Sequence, residues 1–197
     1  DVINLISKVV PLQDAHGDLV AQTFNGPRIH EFLHEMHREV FAGREAQLIT
    51  VGEMPGSTIE QARLYTDPAR AEVDMIFQFE HVDLDSGPLG KWDLRPLHLP
   101  RLKACLARWQ EGLAEVGWNS LYWFGDADPE WRERSAKTLA TVLHLHRGTP
   151  YVYQGEELGM TNVAFSSLDD IRDIESINYY AEAVRDGADP ADVLRSI

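Results

Sequence analysis

The chain has 197 residues, 44% hydrophobic and 25% charged, an ordinary globular composition with enough length for one sizeable core. Its 32 acidic residues against 18 basic ones leave a formal charge of −14, which repels the phosphates of nucleic acid and the anionic face of a membrane, so a small neutral ligand such as a sugar suits it better. The single Cys105 cannot form an internal disulfide, which allows a reducing cytoplasm, and there is neither a membrane-length apolar run nor the basic-then-apolar layout of a signal peptide.

In chain order, Asp1-Val2-Ile3-Asn4 opens without methionine and reads as the end of a strand passing into a loop, so the chain begins mid-element. Pro27 then opens a helix whose apolar face is Ile29, Phe32, Leu33, Met36 and Val40. A strand is predicted over Gln47 to Val51 and another over Val73 to Phe79, both short and rich in β-branched or aromatic residues. The spacing of Leu102, Cys105, Leu106, Trp109 and Leu113 predicts a helix that buries Cys105 as a small hydrophobe. Asn119 to Trp123 is a third strand. Asp128 and Pro129 cap a helix that runs through Leu139, Val142 and Leu143 to a stop at Gly148, and Pro150 to Val152 is a fourth strand. From Ile174 the tail reads as one or two short helices about the turn Asp186-Gly187, with Pro190 starting the second. Strands alternating with helices predict an α/β domain built on a parallel sheet, and four strands are too few to close a barrel.

His30-Glu31-Phe32-Leu33-His34 is a literal H-E-x-x-H, the helical pattern that binds zinc in metalloproteases, with Glu53 at a plausible distance for a third ligand. The context argues against it. Glu53 closes the strand-like run Leu48 to Gly52 instead of sharing the helical scaffold, and His30, His34 and His37 are better read as a polar stripe beside the core face of a surface helix.

Two carboxyl groups about 5 Å apart, one nucleophile and one proton donor, are what retaining cleavage of a glycosidic bond requires. The C-terminal ends of neighbouring parallel strands bring such groups together at one mouth. Glu53 stands where a strand gives way to the turn residues Pro55-Gly56. Taken by itself, a glutamate there is as a rule a solvated loop residue.

Several segments together resemble the α-amylase family of glycoside hydrolases, in its oligo-1,6-glucosidase branch. Asp1-Val2-Ile3-Asn4-Leu5-Ile6-Ser7-Lys8 looks like the stretch following the fourth barrel strand, and Thr50-Val51-Gly52-Glu53-Met54-Pro55-Gly56 like the end of the fifth. Phe77-Gln78-Phe79-Glu80-His81 resembles the sixth strand, Asn119 to Trp123 the seventh, and the run from Gly148 to Met160 the eighth with its loop. The resemblance covers essentially the whole chain. It implies about the second half of a TIM (β/α)8 barrel, from the end of strand four to strand eight, in residues 1–165, followed by a helical segment in residues 166–197. It places the nucleophile on Asp1 and the acid/base on Glu53. Val2 falls on the side of enzymes that accept α-1,6 links, and Phe79 is a candidate wall of the sugar site, with packing inside the barrel as its alternative. The implied substrate is a short gluco-oligosaccharide, with no cofactor, no metal, no nucleic acid and no membrane partner, in the cytoplasm.

Two departures stand out. The first half of such a barrel is missing, including the arginine that in the family precedes the nucleophile by two residues. Between Trp123 and Phe124 the family's Asn-His-Asp segment, with its third carboxylate and sugar-binding histidine, is missing too. Asp126 and Asp128 match the stretch before the next helix and are read as capping and solvating residues, not as replacements. A glucosyl-transferring enzyme of the sucrose-isomerising type, and a non-catalytic relative, are the alternative expectations.

Overall fold

A computed structural model describes residues 2–9, 22–44, 46–88, 90–123, 130–161, 163 and 165–197. Four short parallel strands carry the architecture: β1 (Val51–Glu53), β2 (Met75–Phe77), β5 (Ser120–Leu121) and β6 (Thr149–Pro150), while β3 (Ser86–Gly87) and β4 (Gly90–Leu94) form an antiparallel hairpin. β1 pairs with β2 and β5 with β6, both in parallel. Isolated parallel bridges Val2–Glu53 and Ile76–Asn119 join the rest, so Val2, β1, β2, β5 and β6 stand side by side in chain order. Such an arrangement needs a crossover between each pair, and helices supply it.

The helices of the described residues include α1 (Ile29–Met36), α2 (Ile59–Thr66), α3 (Leu99–Gly112), α4 (Arg132–Leu145), α5 (Ile174–Arg185) and α6 (Pro190–Ser196). α1 buries Ile29 and Leu33, but Val40 is 48% exposed. The reason is local: after Met36 the backbone widens into a π-helical turn over His37–Phe41, which shifts the phase of the side chains and takes Val40 off the apolar stripe. α2 begins with a capping box in which the Thr58 hydroxyl accepts from Gln61 N–H and the Gln61 side chain accepts from Thr58 N–H. α3 buries Leu102, Cys105 and Trp109, as its periodicity predicts. Leu33, Met54, Ala62, Tyr65, Ile76, Cys105, Trp109 and Leu113 form one apolar cluster between the sheet and these helices. Burial pushes the Cys105 thiol up to about 11, with the nearby Glu80 charge adding to the effect, so the sulfur stays protonated and inert.

The observed strands differ from the predicted ones in position. Leu48 and Ile49 are 39% and 74% exposed and lie outside β1, because lateral pairing starts only at Thr50. There the Asp74 carboxylate accepts from Thr50 N–H at 2.7 Å and from its hydroxyl at 2.8 Å, which fixes where β1 and β2 meet. The third and fourth strands are likewise shorter than predicted. α4 is described from Arg132, and its expected caps Asp128 and Pro129 lie outside the described residues, as does Asp126. In the tail, Gly187 takes φ 99° in the turn after α5, and Pro190 occupies the first turn of α6, capped by the Asp189 carboxylate.

The β3–β4 hairpin holds the tail against the sheet domain. Its Lys91 ammonium bonds the Glu175 carboxylate at 2.6 Å, and the Trp92 ring stacks on Tyr179 with centroids 4.8 Å apart and planes 11° from parallel. Among the described residues no helix is long and apolar enough to cross a membrane.

Candidate active site

Parallel strands in sequential order put all their C-terminal ends along one edge, and the candidate residues lie there. Glu53 is the last residue of β1 and the register partner of Phe77, the last residue of β2. Paired residues in a sheet point to the same face, so the Glu53 carboxylate and the Phe77 ring share a side. Val2 pairs with Glu53 from the other flank. Asp1 precedes it and lies outside the described residues. Phe79, two residues beyond β2, is half-buried on the same rim.

Close approach of the chain beside Val2 is built into the sequence. Gly52 is buried, and a Cβ there would stand 2.2 Å from Ile3 Cδ1, so only glycine lets Ile3 settle against β1. Asn4, fully buried, donates from Nδ2 to the Pro55 carbonyl at 3.0 Å. The segment after Asp1 is thus tied to the turn that follows Glu53.

Aromatic side chains floor the rim. Phe77 packs edge-on to Tyr122, with centroids 5.1 Å apart, and against Tyr151 at 4.6 Å; Tyr122 also meets Phe79 at 6.0 Å. Burial drives the Tyr122 phenol well above its ordinary range, and the charges of Asp83 and Glu53 push the same way, so it is a neutral hydrogen-bond donor. Its hydroxyl donates to the Gln78 carbonyl at 2.8 Å. Half-buried Glu53 makes no side-chain hydrogen bond or ion pair with the described residues, its ladder bonds being those of the backbone. The combination suits a hexose: an aromatic surface for C–H faces, with a carboxyl group left available to a ligand.

Elsewhere the structure gives the H-E-x-x-H segment a role that its sequence conceals. His30 Nδ1 and His34 Nε2 both approach the carboxylate of Glu72, at 2.8 and 3.1 Å, and Arg70 Nη2 reaches it at 2.6 Å. Glu72 is 2% exposed, and a buried carboxylate persists only with such partners. The histidines therefore do more than flank the core face; they help anchor α1 to the segment before β2. No group of three or more His, Cys, Asp or Glu among the described residues is arranged to hold a metal ion.

Sequence reasoning named Asp1, Glu53, Val2 and Phe79 as candidates but gave no place to Gln78, His81, Tyr122, Tyr151 or Glu72. Gln78, His81, Tyr122 and Tyr151 were within quoted segments, yet their contacts span up to 76 positions and carry no local signal.

Comparison with known proteins identifies the family. The family described as Alpha amylase, catalytic domain, matches residues 1–194. The oligo-1,6-glucosidase of Parageobacillus thermoglucosidasius is 52% identical over 100% of this chain and 38% of its own length, and that of Bacillus cereus is 50% identical with the same coverage. Among solved structures, the trehalose-6-phosphate hydrolase of Bacillus licheniformis superposes with a TM-score of 0.86 at 41% identity, covering 100% of this chain and 37% of that one. The isomaltulose synthase of Klebsiella sp. LX3 gives 0.84 at 30% identity, covering 98% and 37%. The chain thus spans 38% of the length of the curated relatives it matches first. With its parallel strands in sequential order and its carboxylate at their C-terminal edge, it belongs to the α-amylase family, whose catalytic domain is a TIM barrel.

Proposed function

We propose that the full-length protein is a retaining glycoside hydrolase that releases α-glucose from the non-reducing end of short α-1,6-linked gluco-oligosaccharides, with some α-1,4 activity. The supporting observation is the pairing of Val2 with Glu53, since it brings the end of the segment bearing Asp1 beside the strand that ends in Glu53. In this reading residues 1–165 are the half-barrel from the end of strand four to strand eight, and residues 166–197 the helical segment after it. The names of the oligo-1,6-glucosidase relatives support the substrate class.

In the first step the Asp1 carboxylate attacks the anomeric carbon. The glycosidic C–O bond breaks, and the leaving oxygen takes the proton held by Glu53. In the second step the Glu53 carboxylate takes a proton from water as its oxygen attacks the same carbon, which expels Asp1 and frees glucose. Val2 and Phe79 border the sugar. Neither cofactor nor metal enters this scheme, and the compartment that fits it is the cytoplasm.

Glucose release from isomaltose by the full-length protein tests the assignment, with Glu53→Gln as the decisive variant. That substitution removes the donor proton and keeps the shape, so turnover should fall at least about 100-fold while the sugar still binds. Near-normal turnover by the variant would refute the role of Glu53. The direct junction of Trp123 to Phe124, where the family carries Asn-His-Asp, favours a second reading as a non-catalytic relative. No glucose release by the unsubstituted full-length protein would establish it. Resemblance to isomaltulose synthases adds glucosyl transfer as a variant chemistry, recognised by isomaltulose among the products from sucrose.

A further inference from the structure

Behind the aromatic rim lies a closed ring of hydrogen bonds in which every proton can be placed. The Gln78 side chain receives Glu80 N–H on Oε1 at 2.8 Å, and because a backbone N–H only donates, this fixes the orientation of the amide. Gln78 Nε2 therefore faces His81 Nδ1, 2.7 Å away, as a donor. Nδ1 must accept. His81 Nε2 stands 2.9 Å from the Tyr122 carbonyl, which accepts only, so Nε2 carries the imidazole proton. The Tyr122 hydroxyl completes the ring by donating to the Gln78 carbonyl at 2.8 Å. Gln78, His81 and Tyr122 are 2%, 5% and 8% exposed, and the His81 ring also packs edge-on to Tyr122 with centroids 4.8 Å apart.

This ring connects two rims of the candidate site. Gln78 and His81 flank Phe79 in the turn after β2, while Tyr122 is the residue after β5 and leads directly into Trp123. Isolated hydrogen bonds are worth little net, but a buried and fully satisfied network allows one arrangement of its elements and penalises the rest. We propose that His81, as its neutral Nε2–H tautomer, is a positioning residue that clasps the turn bearing Phe79 to the end of β5 and so sets the aromatic wall of the sugar site. The proposal rests on the glycosidase reading above. It predicts a particular kinetic signature, because the clasp holds the wall and leaves β1, with Glu53, untouched. Loss of the clasp should weaken substrate binding more than it slows the chemical step.

The test uses the full-length enzyme with 15N-labelled histidine and the variants His81→Phe and His81→Gln. Two-bond couplings at neutral pH should show His81 protonated on Nε2 alone, with the signal assigned by its disappearance in His81→Phe. Protonation on Nδ1, or on both nitrogens, would overturn the clasp. For isomaltose, His81→Phe should raise KM about tenfold with a smaller change in kcat. His81→Gln, whose amide can both donate to the Tyr122 carbonyl and accept from Gln78, should recover part of the loss. A KM within twofold of the parent in His81→Phe, or equal damage in the two variants, would overturn the positioning role. Should His81→Phe fail to fold, the tautomer of the parent and the KM of His81→Gln still decide the matter. Parent activity on isomaltose judges the glycosidase reading, whereas the ratio of variant to parent judges this one.

Discussion

At the scale of single residues, position along a strand decides what a carboxylate does. Glu53 ends β1 with its carboxylate making no hydrogen bond to the described residues, whereas Glu72 is enclosed by His30, His34 and Arg70 and is committed to structure. The place of Glu53 at a strand end could be read in the sequence because a strand-to-turn transition marks it. Glu72 could not, since its partners His30 and His34 come from 42 and 38 positions away and form a motif that suggests zinc. For Val2, which borders the site beside Glu53, a threonine would exchange a methyl for a hydroxyl. Val2→Thr in the full-length protein should shift the ratio of isomaltose to maltose hydrolysis toward maltose by no more than about 1–3 kcal/mol. An unchanged ratio of the two kcat/KM values would remove Val2 from the specificity determinants.

The protonation state of His81 has a consequence for stability. Burial above all lowers its pKa, and this outweighs the raising effects of the Tyr122 carbonyl and of the Asp83 and Glu80 charges. The folded protein therefore prefers the neutral ring. Above the unfolded value of about 6.5 the ring is neutral in both states and its contribution is complete. As pH falls through that value the unfolded chain takes up the proton first, and stability is lost down to the lower folded pKa. Thermal unfolding of the full-length protein should therefore drop between pH 7 and 5.5, and His81→Phe should remove part of that drop. Parallel curves for the two proteins would contradict the lowered pKa.

At the scale of elements, propensity located the strands and lateral pairing trimmed them. Leu48 and Ile49 have the composition of a strand but no pairing neighbour among the described residues, while Thr50 and Asp74 form a side-chain bridge that starts the ladder. Helices were more legible. α3 obeys its apolar spacing, α6 starts at Pro190 as read, and α1 departs from its stripe where the π-helical turn intervenes. The β3–β4 hairpin went unread because one of its strands is only two residues long and shows no alternation. Gly52 shows how one element constrains another: β1 must lack a side chain there for Ile3 to approach. In Gly52→Ala the new methyl would meet Ile3 Cδ1 and Cγ1, at 2.2 and 2.9 Å, and displace the segment that leads from Asp1. Overpacking of this kind costs roughly 1–3 kcal/mol. The full-length variant should melt several degrees lower and release glucose more slowly, and unchanged melting would show that Ile3 can move aside freely.

At the scale of the whole molecule, the sequence conveyed the order of the strands but not the extent of surface they leave open. The accessible surface is 13281 Å² for a mass of 22.3 kDa. A compact monomer of that mass presents about 9,400 Å². Part of the excess is apolar: Val152, Tyr153, Leu158, Met160, Val163 and Phe165 follow β6 in sequence and are each at least 50% exposed. Among the described residues, the flanking segments of the parallel array, Val2 and β6, each have one neighbour, so each presents a further edge for strand pairing. Exposed apolar surface and open strand edges favour association, while the formal charge of −14 opposes it between identical copies. Salt should decide the balance, because screening shortens the reach of that repulsion to about 8 Å at 0.15 M and about 3 Å at 1 M. Expressed alone, residues 1–197 should sediment as species larger than a monomer, in proportions that rise with salt, and should release no measurable glucose from isomaltose. Catalytic groups act as a unit, so in the proposed reading a rim that carries Glu53 without the arginine, histidine and third carboxylate that the family resemblance implies lacks most of the stabilisation of its transition state. A salt-independent monomer that hydrolyses isomaltose at about 1 per second or faster, an ordinary enzymatic rate, would show that residues 1–197 suffice.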